Sequence, residues 1–192
     1  MTSRFSTLGI SAILLLGLSG CGALAADQDT LIPVSADALP NTSTVGAISL
    51  SEAERGAPLE FSGTTLDGRS LTTEEFLGRP TVINFWASWC APCRDELPEL
   101  ATAFKDLSER GIQFLGVNVE DAPEAAEPFA ESIPYPSIRD DSGAFLAAVP
   151  DVPPSALPIT LILDDQGRIG ARIIGPTTSQ ALTQLVENLE TP

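Results

Sequence analysis

Two cysteines separated by two residues, Cys90-Ala91-Pro92-Cys93, are the most chemically pointed feature of this 192-residue chain, whose third cysteine is Cys21. A thiol pair at this spacing can cycle as a disulfide that passes two electrons to a partner, staple the chain, or supply half of a zinc site. Zinc would need two more ligands. The chain has no His, so the metal would have to take carboxylates or a second subunit. As a staple, so short a loop stabilises little by chain entropy. The redox reading is the one to develop. Leu97, Leu100, Ala101, Phe104 and Leu107 follow at helical spacing and form one apolar face, ending near Arg110-Gly111. Cys90 falls just before this helix and Cys93 in its first turn. The unpaired N–H groups and positive dipole end favour an anion there, which lowers the pKa of the Cys90 thiol. Pro92 limits how far the turn can relax. Cys90 is then the attacking sulfur on a disulfide, and Cys93 the one that resolves the mixed disulfide.

The rest of the sequence must hold that helix start in place. Thr81-Val82-Ile83-Asn84-Phe85-Trp86-Ala87 is almost wholly apolar, as a strand buried on both faces should be. Ile112–Val119 reads as the next strand, and a short helix is expected over Pro123–Ser132 with proline at its start. Leu59–Gly63 and Ser70–Leu71 flank Asp67-Gly68, a hairpin signal. Ile159–Leu163 and Arg168–Ile174 flank Asp164-Asp165-Gln166-Gly167, another. Leu182, Leu185, Val186 and Leu189 lie on one stripe of a final helix. Hairpin, β-α-β, an insert and β-β-α imply an α/β fold: a mixed sheet with helices on both faces and one core.

Composition removes other chemistries. With 10 basic and 26 acidic residues the formal charge is −16, the reverse of a nucleic-acid binder. Without histidine there is no Ser/His/Asp or Cys/His hydrolase and no His-ligated metal or haem. No cofactor is called for. Arg4 followed by the apolar run Leu8 to Leu18 reads as an export signal, too short for the roughly 20 residues of a membrane-spanning helix. Leu18-Ser19-Gly20-Cys21 is similar to a bacterial lipobox, which would make Cys21 the lipidated first residue. Ala23-Leu24-Ala25 is the competing cleavage site. The favoured organisation is a signal peptide at 1–20, a tether at 21–57 rich in Ala, Ser, Thr and Pro, and one domain at 58–192, with a docked strand as the alternative for the tether.

Phe85-Trp86-Ala87-Ser88-Trp89-Cys90-Ala91-Pro92-Cys93 resembles the active-site segment of the thioredoxin superfamily. The similarity runs from about Ala57 to Leu189 and implies a thioredoxin-like fold with an N-terminal hairpin and a central insert. Pro98 matches the proline that bends the family's active-site helix. Leu157-Pro158, before a strand, matches the cis-proline loop whose backbone pairs with an extended substrate opposite the cysteines. Trp89 and Pro92 would belong to the same docking rim, while Trp86 is core. Where thioredoxin has a buried aspartate this chain has Asn84. Glu96 instead stands where the membrane-tethered TlpA/ResA-like oxidoreductases carry an acidic residue beside the pair. There it would accept the Cys93 proton, or else serve as an ordinary first-turn carboxylate. The segment from about Asp121 to Pro154, with Pro134, Pro136, Pro150, Pro153 and Pro154, matches that subfamily's insert.

Together with the leader and the lipobox-like segment, the resemblance implies an exported thiol-disulfide oxidoreductase on the outer side of a bacterial membrane, held by a lipid at Cys21. Its partners would be proteins with cysteines or disulfides and a membrane or periplasmic electron donor or acceptor. The expected direction is reduction of selected disulfides, as in cytochrome c maturation. The rivals are an extracytoplasmic oxidant and a non-catalytic adhesion or scaffold lipoprotein. A thiol peroxidase would need a hydroxyl three residues before its cysteine, where this chain has Ala87, and a copper-delivery protein would need Cys-x-x-x-Cys and a His.

Overall fold

The computed structural model describes residues 46–190; the leader at 1–20, Cys21 and most of the 21–57 stretch lie outside them. Strands Ala47–Ser49 (β1), Ser62–Thr64 (β2), Ser70–Thr72 (β3) and Thr81–Trp86 (β4) precede helix Ala91–Ser108 (α1). Then come Gln113–Val119 (β5), Pro123–Ala130 (α2), Ser137–Asp140 (β6) and Ala144–Ala148 (α3). The hairpin Ile159–Leu163 (β7) and Ile169–Ile174 (β8) leads to Ser179–Glu190 (α4). β2 and β3 form a separate antiparallel ribbon, while the main sheet has six strands in the order β1-β8-β7-β4-β5-β6. β4, β5 and β6 run parallel, and β7, β8 and β1 add antiparallel pairs. This is the expected mixed α/β thioredoxin-like sheet.

β4 is at the centre because its sequence can be buried on both faces. Val82 and Trp86 join a cluster with Leu100 and Leu107 of α1, Ala126 of α2 and Leu182 and Val186 of α4. Ile83 and Phe85 point the other way, into a cluster with Leu115 and Val117 of β5, Leu146 of α3 and Leu71 of the ribbon. The three longer helices thus contribute to one face. The second is closed by α3, by the 3₁₀ turn Thr73–Phe76 and by the segment carrying Leu59 and Phe61.

Two differences from the sequence expectation matter. The tether does not extend to 57: Ala47–Ser49 pairs with Ile173–Ala171 at the sheet edge, so the docked-strand alternative holds for this part. The 3₁₀ turn Glu52–Glu54 follows, and Arg55 reaches Asp164 of the β7–β8 turn at 3.3 Å. The insert also contains a sixth strand: β6 continues the sheet in parallel with β5, with α2 as the crossover. Apart from these, β5 carries Gly116 where β6 and β4 crowd together. A Cβ there would sit 2.0 Å from Ser137 Oγ and 3.0 Å from Trp86 Nε1. Among the described residues no helix is long and apolar enough to cross a membrane.

Candidate active site

At the carboxyl end of β4 the chain turns through Ala87, Ser88 and Trp89 into α1. Cys90 is the N-cap: its backbone is extended, and its Sγ accepts the Cys93 backbone N–H at 3.2 Å. A thiolate on the same sulfur would face that donor and the helix dipole, which is how the local fold favours ionisation of Cys90. Pro92 stands inside the first turn, where no N–H is needed. Cys90 and Cys93 are joined as a disulfide with Cα atoms 5.3 Å apart. Cys90 is 5 % exposed and Cys93 1 %, so the first sulfur is nearer to solvent. Among the described residues no cluster of metal-ligating side chains is assembled around the pair.

The remaining predicted residues come to the same end of the sheet. Phe85 pairs with Ile159, so the residues just before Ile159 lie beside those just after Trp86. Leu157-Pro158 is a cis peptide there, and Leu157 packs on the cluster that includes both cysteines. The Pro158 carbonyl accepts the Gly175 N–H at 2.9 Å. Trp89 is 58 % exposed, an apolar ring left in solvent next to the cysteine nearer the surface. Trp86 is fully buried and stacks on Phe129 with centroids 4.8 Å apart. Pro98 lies within α1 on its exposed side.

Glu96 lies one helical turn past Cys93 and faces inward, 2 % exposed. Oε1 accepts Asn84 Nδ2–H at 2.9 Å and Oε2 accepts the Thr177 backbone N–H at 3.0 Å. Burial pushes its pKa up to about 7, against the opposing pull of these two hydrogen bonds. Such a group is poised to take a proton at neutral pH. Asn84 also donates to Thr160 Oγ1 at 3.2 Å, while its Oδ1 and the Thr177 hydroxyl are buried without a protein partner. Tyr135 is buried too, and desolvation, with the Glu96 charge second, pushes its phenol far above the ordinary range. A second carboxylate on the same helix, Glu99, accepts both the N–H and the hydroxyl of Ser179 and so caps α4.

Sequence reasoning named Asn84 only as a missing aspartate and passed over Thr160, Thr177, Ser88, Asn118 and Asp121. A signal was present in the strands. On the face of β4 and β5 turned toward α1, apolar residues give way to Asn84 and Asn118, both buried. Polar residues inside an otherwise apolar strand require partners; Asn84 finds Glu96, and Asn118 finds Asp121 at 2.9 Å. Ala87 is fully buried, so no hydroxyl stands at the position a peroxidatic cysteine would need.

This geometry agrees with what the chain is similar to. The thiol:disulfide interchange protein HelX of Rhodobacter capsulatus is 38% identical over 58% of this chain and 61% of its own length. The thiol-disulfide oxidoreductase ResA of Geobacillus thermodenitrificans is 29% identical over 68% of this chain and 75% of its own. A secreted thiol-disulfide isomerase from Corynebacterium glutamicum superposes with a TM-score of 0.70, at 29% identity, over 79% of this chain and 95% of the other. The model of the AhpC/TSA family matches residues 54–172. With a thioredoxin-like fold, a Cys-x-x-Cys pair at a helix start and thiol-disulfide oxidoreductases as its relatives, the chain belongs to the AhpC/TSA family.

Proposed function

We propose that this protein is an exported, lipid-anchored thiol-disulfide oxidoreductase that reduces selected disulfides of extracytoplasmic proteins, as in the maturation of c-type cytochromes. The Cys90–Cys93 pair performs the exchange, and a membrane or periplasmic dithiol protein returns it to the reduced state. Trp89, Pro92 and the Leu157-Pro158 loop form the docking rim. The observation that carries this reading is the buried Glu96 beside a cysteine pair at a helix start. When ionised, a carboxylate there works against a thiolate and raises the free energy of the reduced pair. That makes the dithiol a stronger reductant than the helix terminus alone would.

The reduction potential tests the direction. A value at or below that of thioredoxin, about −270 mV, is expected, together with catalysis of insulin disulfide reduction. A value near the roughly −120 mV of a strongly oxidising exported dithiol protein would transfer the assignment to disulfide formation, and no turnover at all would remove the enzyme reading. The anchor has its own test. Metabolic labelling with radioactive palmitate should mark the wild-type chain and leave Cys21→Ser unmarked. A mature chain that begins after Ala25, with no label, would replace the lipid anchor by simple secretion.

A further inference from the structure

The loop that delivers Cys90 is tied to the segment that follows β5. Asp121 Oδ2 accepts the Ser88 backbone N–H at 2.5 Å and Asn118 Nδ2–H at 2.9 Å, and Oδ1 accepts the Ser88 hydroxyl at 2.7 Å. One residue on, Trp89 Nε1 donates to the Glu120 carbonyl at 3.2 Å. Glu120 makes that contact with φ at +45°, in the left-handed region that a non-glycine residue occupies at a cost. Asn118 stands opposite Trp86, at the last paired position of β4. The end of β5 and the two residues after it thus turn polar groups toward the same short loop. An apolar strand end and an unstrained turn would have closed the fold as well, so these features point to the loop they hold.

We propose that Asp121 is a positioning residue for the exchange reaction: by gripping Ser88 it fixes the backbone of the neighbouring Trp89, whose ring, held also by the Glu120 carbonyl, is the surface against which a substrate segment packs. The proposal deepens the reading of the protein as a disulfide reductase and rests on it. The chemistry of the side chain suits the task. Its donors are divided between two oxygens, and only a carboxylate accepts on both. An asparagine could keep its oxygen toward the Ser88 and Asn118 N–H groups and donate its NH2 to the Ser88 hydroxyl, whereas an alanine offers no acceptor to any of the three donors. Burial pulls the Asp121 pKa up but is outweighed by the hydrogen bonds from Ser88 and Asn118, which hold it below the usual range. The grip is therefore in force throughout the neutral range.

The test compares a docked substrate with one too small to dock, in the full chain. Asp121→Ala should lower kcat/KM for insulin reduction about tenfold, since small misplacements of the groups that seat a substrate are costly, and most of the loss should lie in KM. The rate of the reduced enzyme with a small aromatic disulfide should stay within about twofold, because that disulfide needs no seat on Trp89 and the helix start and Cys93 N–H that face the Cys90 sulfur are unchanged. Acrylamide quenching of tryptophan fluorescence should rise, the signal coming from Trp89 because Trp86 is fully buried. Ser88→Ala, which removes only the hydroxyl bond, should lose less, and the double variant no more than Asp121→Ala alone, as expected of groups acting on one loop. Equal losses with both disulfides would make Asp121 an electrostatic modulator of the thiol and overturn the proposal. Unchanged insulin kinetics with a lowered unfolding midpoint would reduce Asp121 to a part of the fold. A wild-type chain unable to reduce insulin would instead sink the reductase reading, and the quenching comparison would still decide whether Asp121 holds Trp89.

Discussion

A reduced Cys93→Ser variant offered a protein disulfide is expected to stop at a covalent adduct on Cys90, with multiple turnover falling to background. The Cys90 thiolate attacks one sulfur of the substrate disulfide, forms a new S–S bond and releases the other sulfur as a thiol. In the wild type, Cys93 then attacks the Cys90 sulfur and releases the second substrate thiol. The substrate has gained two electrons and two protons, and the enzyme is left as the disulfide. A serine hydroxyl cannot carry out the second displacement, so the adduct persists. The fold supports this proposed order of events. Cys90 caps the helix with the greater exposure and the N–H of Cys93 aimed at its sulfur, whereas Cys93 lies a turn inside and is covered. Mass spectrometry of the trapped species locates the bond. Adducts on Cys93 in a Cys90→Ser variant would reverse the roles, and adducts on neither would remove the pair from catalysis.

The second large effect belongs to Glu96→Gln, and it has a kinetic and a thermodynamic side. If Glu96 takes the Cys93 proton, the resolving step in the wild type should accelerate as pH rises through about 7, where the carboxylate ionises. The variant should lack that inflection and be slower above it by on the order of a hundredfold, the lower part of the range for general-base catalysis. For stability the direction is fixed by linkage. A carboxyl whose folded pKa is raised from 4.5 to about 7 holds its proton in the native state through a window in which the unfolded chain has lost it. Native wild type therefore loses stability as pH rises across that window, by on the order of 3 kcal/mol in total. Below it the group is neutral in both states and costs nothing. Glutamine removes the slope, so the variant should match the wild type near pH 4 and exceed it near pH 8 in denaturant midpoint. The neighbours can accept it: the unpaired Asn84 Oδ1 is available to a glutamine NH2 group after a flip of the amide. Parallel pH dependences of rate and midpoint in the two proteins would return Glu96 to a purely structural role.

The parts of this molecule that were legible in the sequence are those whose determinants are local. The cysteines and Pro92 fall within four residues at the start of one helix, and the strand before them declares itself by being apolar on both faces. The β7–β8 turn is equally local: Asp164 accepts the backbone N–H groups of Gln166 and Arg168 through the same oxygen, so the turn signal and its physical cause coincide. β1 was hidden because Ala47-Ile48-Ser49 is too short to show alternation and is exposed along its length. It is held by pairing with β8, far along the chain. β6 is short as well, and the prolines before it suggested a stiff loop when they in fact lead into a strand. In the site, the links missed are those that cross between elements: Asp121 to Ser88, and Glu96 to Thr177. No spacing rule reports such pairs. What the sequence did display was their residue types, two asparagines in strands that had no other reason to contain them.

The edge strand also sets where the chain joins the sheet. The Gly46 carbonyl accepts the Ile174 N–H, Ile174 pairs with Ile159, and Ile159 with Phe85, so residue 46 is level with the end of β4 that leads to Cys90. At the other terminus, α4 runs alongside α1 until Glu187 meets Arg110 at 3.2 Å, beyond the far end of that helix. Residue 46 and Glu187 are thus level with opposite ends of α1. The chain enters its sheet at the level of the reactive rim, three strands across from it, and completes α4 at the other end.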